Sequence, residues 1–454
     1  MLVLACMLLV LVLVASHRIK GPLWAMGFAW LTCLVPVATG IVTYTYLSQW
    51  DVGYVVSLAA FLGCFSLGAF WHDQTARSSS KPIRRAATAE LRAAYPWAYA
   101  ALCAATVGTI CIGVDYTLLE GAGLDDLAAL REVYVTRETT VFARLGSVLT
   151  WGCLYCFAFA LTFRDQLPKL KFAAFLLPIG GFFLVALFSA GRQAAMQILI
   201  FALLTLALKR TRQGPRKAKS QSGAAIYIAI SVAMIGYMGY IASARNDNLI
   251  SEDKVEVLSR LFDFELSTTL EWLLSLVGES VRTGFVEGMV YFSSSIALFS
   301  KFLTIDFPKQ SYGAMSLPFI MRQLEPLTGI SVVEALNGKI EQMRNLSVIG
   351  VGWTTAISSY VMDFGKLGAG VVLCAQGYYS AFSWRRARLG TDFHEGVIAL
   401  IMLTAAIYMP LTAASGETNL LLLWLYCVFV LKRGARHVAK RAAKRIPLSS
   451  GTSV

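Results

Sequence analysis

The sequence predicts an all-α, polytopic integral membrane protein, and three observations carry that reading. The 454 residues are 57% hydrophobic, with a mean hydropathy of +0.61; soluble domains hold about 45–50% apolar residues. Apolar runs recur along the whole chain at the length that crosses a bilayer core of about 30 Å. Those runs are continuous, whereas a membrane β-barrel alternates polar and apolar residues in segments of about ten. The net charge of +13 then reads as topology rather than as affinity for nucleic acid, because Lys and Arg collect in cytoplasmic loops.

About eleven spans are predicted, near 1–16, 22–48, 53–71, 95–113, 141–163, 172–190, 194–208, 224–243, 367–384, 394–412 and 418–431. The first run lacks a basic segment before it, and Arg18 and Lys20 follow it instead. That order predicts a retained helix with a periplasmic N-terminus. The connections 17–21, 72–94, 164–171, 209–223 and 385–393 and the tail from Lys432 hold 26 of the 40 Lys and Arg. This set is therefore assigned to the cytoplasm, together with the C-terminus. All nine cysteines fall inside apolar runs; Cys153 and Cys156 form a C-x-x-C with no second pair, which reads as packing.

Three regions follow: an N-terminal transmembrane bundle (1–243), a large periplasmic loop (244–366), and C-terminal transmembrane helices with a basic tail (367–454). A connection as long as 244–366 marks function. Within it Leu266, Leu270, Leu273, Leu274, Val277 and Val281 recur at helical spacing, opposite Ser267, Glu271, Ser275 and Glu279. They predict an amphipathic helix lying on the membrane or capping the bundle.

All four histidines (His17, His72, His394 and His437) belong to the cytoplasmic side, so chemistry on the outer face must use arginines, hydroxyls and carboxylates. The stretch SAGRQAAM, 189–196, places Arg192 in a tight outer turn. Only 37 residues separate Lys171 from Lys209, whereas two full crossings take about 40. The turn therefore sits at or just below the outer boundary, where a guanidinium needs an anionic partner. Arg282, Arg344, Arg260 and Arg322 on the long loop are candidate binding residues, and Arg144 could face the same cavity. Guanidinium groups grip diphosphate oxygens in bidentate fashion and stay charged at any working pH. Asp125–Asp126 and the DFE at 263–265 lack metal-ligand spacing, so neither metal nor cofactor is expected. No acid falls in the middle of a predicted span, which counts against a transporter.

The stretch VGWTTAISSYVMDFGKLGAGVVLCAQGYYSAF, 351–382, resembles the end of the large outer loop in the O-antigen polymerase family, the oligosaccharide repeat-unit polymerases. The resemblance rests on Thr354–Thr355, Tyr360, Asp363–Phe364–Gly365 and Gly368. EGMVYFSSSIALFSKFL, 287–303, resembles that family's aromatic loop helix, and SAGRQAAM resembles the Ser/Gly-Arg turn shared with the O-antigen ligases. The likeness spans roughly 175–385. It implies a metal-independent glycosyltransferase of the bacterial inner membrane, acting on the periplasmic face. Its substrates would be undecaprenyl-diphosphate-linked oligosaccharides, with membrane lipid, a flippase and a chain-length regulator as partners. Arg192 would hold the departing diphosphate, and Arg282, Arg344, Arg260, Arg322, Tyr291 and Tyr360 would bind substrate. Asp363 is the best-placed base, ahead of Glu325 and Glu334, although a carboxylate there also suits a helix cap. The ligases carry a His-Asn pair where this chain has Gly352, Trp353 and Thr354, which favours a polymerase. A ligase, or a transporter or flippase of lipid-linked sugars, is the alternative.

Overall fold

The computed structural model describes residues 21–45, 52–76, 87–115, 140–188, 193–213, 254–303, 310–345, 355–389, 392–413 and 417–445. The expected spans 1–16 and 224–243, and Arg192 itself, lie outside the described residues. Within them the chain is helical throughout but for one small ladder, and five helices are long and apolar enough to cross a membrane.

Helix α1 (Pro22–Ala38) opens with proline at its first position, where a missing N–H costs nothing. It ends before the expected 22–48, because the chain turns at Thr39–Gly40 into strand β1 (Val42–Tyr44). Helices α2 (Val52–Ala76) and α3 (Ala87–Val114) follow. The expected span 141–163 divides at Thr150 into α4 (Val141–Leu149) and α5 (Trp151–Phe163). Helices α6 (Lys169–Phe188) and α7 (Gln193–Gln213) complete the first region.

The predicted amphipathic helix over 266–281 is interrupted. Helix α8 (Lys254–Phe262) leads into strand β2 (Phe264–Leu266), then α9 (Thr268–Ser275) and α10 (Glu279–Phe302). Ser267 caps α9 by accepting the Leu270 N–H, and Gly278 parts α9 from α10. Strand β2 pairs antiparallel with β1, Thr43 opposite Glu265, which ties this segment to the end of α1. Trp272, Leu273, Leu276, Val277, Val281 and Phe285 remain exposed. The far half of α10 enters the bundle: the Tyr44 hydroxyl bonds Ser293 at 2.7 Å, Tyr54 donates to the Ile296 carbonyl, and the Phe299 ring packs on Tyr54 and Phe61. Burial pushes the Tyr44 phenol above its ordinary range.

Helix α11 (Pro318–Thr328) stops at left-handed Gly329, and α12 (Val332–Asn345) packs against it. Helix α13 (Ala356–Leu389) lies along α2, α14 (Phe393–Tyr408) starts from an Asp392 cap, and α15 (Thr418–Arg445) follows. The main core is shared by all three regions of the chain. Its aromatic centre includes Tyr95, Phe159, Phe163, Phe175 and Phe393.

Candidate functional site

One arginine sets a common level for four helices. At the end of α7, Arg212 donates to Glu90 at the start of α3 (3.1 Å), to the Ala387 carbonyl at the end of α13 (2.8 Å) and to the Asp392 carbonyl before α14 (3.5 Å). Lys209 pairs with Asp165 nearby, and Arg386 with Glu395. These are the connections that the sequence makes basic, so this end of the bundle is its basic end.

Heights above that level follow from 1.5 Å of rise per residue, and they differ. Helix α3 rises about 36 Å from Glu90 to Val114, and α13 about 32 Å from Ala387 back to Lys366. Helix α14 gains only about 24 Å by Met409, whereas α7 rises about 28 Å from Arg212 to its first residue, Gln193. Tilt lowers each figure further. The end of α14 therefore stops about 8–12 Å short of α13 and α3.

A polar cluster lies at the end of the bundle opposite the basic loops. Gln197, 1% exposed, accepts from the Asn419 amide at 2.7 Å and donates to the Glu417 carboxylate at 3.4 Å. Glu417 reads in the sequence as part of the polar loop SGETN, with nothing to mark it as a partner of α7. Beside it the Met409 carbonyl accepts the Ala356 N–H, and Thr355 caps the start of α13 through the Ser358 N–H.

Helix α13 is two arms. At Gly365 the backbone takes φ 70° and ψ 174°, a combination reserved almost wholly for glycine. The Tyr360 hydroxyl donates to the Gln376 side-chain amide oxygen at 3.3 Å, yet a straight helix would hold those residues about 24 Å apart. The chain thus climbs from the end of α14 over 356–364, turns over at Gly365, and descends over 366–389. The descending arm contains the expected span 367–384. The climbing arm is buried through Asp363.

Asp363 is 0% exposed, and its two oxygens accept the Met315 N–H (3.0 Å) and the Ser316 N–H (2.7 Å). The Met362 and Asp363 carbonyls accept from Ser311 and Tyr312. The carboxylate thereby fastens the 311–316 turn onto the climbing arm rather than capping its own helix. Tyr360 is buried on the same arm.

The arginines come from several elements. Arg282 is half-buried in the first turn of α10, and α8, which carries Arg260, packs beside α10. Arg260 is exposed and pairs with Glu256 at 2.6 Å. Arg322 is exposed on α11, and Arg344 belongs to the last turn of α12. Arg144 is exposed on α4, and Tyr291 belongs to α10. Glu325 is half-buried on α11 and Glu334 exposed on α12. Among the described residues no three His, Cys, Asp or Glu gather as a metal site would need. No protein-family model, curated protein or solved structure matches the chain.

Proposed function

We propose that this chain is an integral-membrane glycosyltransferase that polymerises undecaprenyl-diphosphate-linked repeat units at the periplasmic face of a bacterial inner membrane. It has about eleven spans, a periplasmic N-terminus and a cytoplasmic C-terminus. The observation that supports the reading is the polar cluster of Gln197, Asn419 and Glu417 at the end of the bundle opposite the basic loops. It involves the first turns of α7, the helix that starts directly after Arg192 in the sequence. Fixed guanidinium charge at that end would stabilise a diphosphate leaving group without metal. The acceptor hydroxyl attacks the anomeric carbon, the bond from that carbon to the diphosphate oxygen breaks, and undecaprenyl diphosphate leaves. One displacement inverts the anomeric centre. Arg282, Arg344, Arg260 and Arg322 supply further positive charge from the outer segment.

Arg192→Ala tests this in cells. The variant should insert and express as wild type while surface glycan falls to single repeat units; normal chain lengths would refute the role.

A second reading has specific support. A buried amide of an apolar helix bonded to an acid, and a broken helix, are features of transporters. Purified protein that lengthens lipid-linked oligosaccharide in detergent, with no membrane to move it across, separates the two. A ligase differs in the knockout phenotype: it would leave no glycan attached, where loss of a polymerase leaves one repeat unit.

A further inference from the structure

At the basic end the acids are taken. Glu90 meets Arg212, Asp165 meets Lys209 and Glu395 meets Arg386. Arg92 on α3 and Lys171 in the first turn of α6 are exposed, and among the described residues neither meets a carboxylate. The two cations belong to one wall. Arg92, Tyr95 and Tyr99 recur at three and four residues, which makes a single stripe along α3. The Lys171 ammonium stands 5.3 Å from the centre of the Tyr95 ring, beside the hydroxyls of Tyr95 and Tyr99. Phe175, one turn beyond Lys171, is buried and packs against both tyrosine rings, so α3 and α6 are joined behind the stripe. On the outer side Tyr99 is 43% exposed and Leu177 78%, an apolar surface of the kind that lipid covers.

The height of the stripe fits the edge of a bilayer. Basic residues gather where helices leave the hydrocarbon, so the Glu90–Arg212 level marks that edge. Along α3, Arg92 lies about 3 Å from Glu90, Tyr95 about 8 Å and Tyr99 about 14 Å. A headgroup layer is about 5–8 Å deep. The stripe thus runs from the height of lipid phosphate to that of the first acyl carbons. Positive charge left there without a protein counterion calls for an anion, and basic recesses between membrane helices hold anionic headgroups.

We propose that the α3–α6 wall is a binding site for one anionic phospholipid of the leaflet at the basic end. Arg92 and Lys171 take its phosphate, the Tyr99 hydroxyl donates to an ester oxygen, and the acyl chains lie along the exposed side of the two helices. The site stands whether or not the chain transfers sugars.

The test uses full-length protein, stripped of lipid in detergent and titrated with phosphatidylglycerol or phosphatidylcholine, with bound lipid read by native mass spectrometry. One phosphatidylglycerol should bind more tightly than phosphatidylcholine, by up to about 30-fold for two cations at about fivefold each. Arg92→Met and Lys171→Met should each weaken phosphatidylglycerol about fivefold. Arg433→Met is the control, because that exposed cation lies over the Phe429 ring on α15, away from the stripe, and its loss should change nothing. Equal affinity for the two lipids, or full phosphatidylglycerol affinity in Arg92→Met and Lys171→Met, overturns the site. So does an equal loss in Arg433→Met, which would mean diffuse attraction to the whole basic end. If the cation variants do not fold, Tyr99→Phe carries the test: a fall of about fivefold, the share of one hydrogen bond, supports the site, and unchanged affinity overturns it.

Discussion

Gly68→Ala is a single-methyl substitution at the closest approach between two helices. A Cβ at Gly68 would stand 1.9 Å from the Cys374 carbonyl oxygen and 2.9 Å from the Tyr378 nitrogen. Both neighbours are backbone, so no side chain can swing aside. Non-bonded heavy atoms settle at about 3.5 Å or more, so α2 and α13 must part by about 1.5 Å. A gap of 0.5–1 Å already forfeits about a quarter to a half of each contact's attraction. In a bilayer that attraction largely replaces the hydrophobic drive between helices. The expected destabilisation is about 2–3 kcal/mol, the upper part of the range for overpacked cores, or about 30- to 150-fold in the unfolding equilibrium. Gly377→Ala should behave alike, since its Cβ would lie 2.0 Å from the Phe65 carbonyl oxygen. The double variant should cost less than the sum, because one separation relieves both clashes. Gly63→Ala on the same helix is the control: nothing lies within 4 Å of its Cβ, and alanine there should be neutral or stabilising by about 0.5–1 kcal/mol. Unfolding in mixed SDS micelles, followed by circular dichroism, reads all four proteins. Gly68→Ala as stable as Gly63→Ala would show that the helices do not approach as described.

Two further substitutions test tertiary anchors of the bundle. Asp363→Ala strands the Met315 and Ser316 N–H groups, at about 1–3 kcal/mol for each buried donor; limited proteolysis should cut first near 310–317, and an unchanged pattern would contradict the clamp. Arg212→Met removes the guanidinium from Glu90 and two carbonyls and should cost about 3–5 kcal/mol; adding Glu90→Met should recover much of it, and additive losses by thermal melting would deny the coupling.

The division between what the sequence discloses and what it withholds follows the range of the interactions. Apolar runs report helices directly, so the descending arm of α13 and the helices α2, α3 and α7 are legible from composition alone. The turnover at Gly365 is written as an ordinary DFG, and the bond from Tyr360 to Gln376 that reveals it is not a helical-neighbour contact. The break at 266–281 is a contest between helical periodicity and pairing with β1, and strand pairing 220 residues away leaves no local signature. Glu417 escaped for a different reason. Its pairing with Gln197 depends on a helix far away in the chain, not on its own neighbours, which are those of any polar loop. Asp363 was legible as important, but its partners at 315 and 316 are set by the return of a distant turn.

The small β1–β2 ladder has a mechanical consequence. It fastens residues 264–266 to residues 42–44 by backbone hydrogen bonds, so a pull on the segment that carries α8 and α10 would be handed to the end of α1 rather than absorbed in a slack connection.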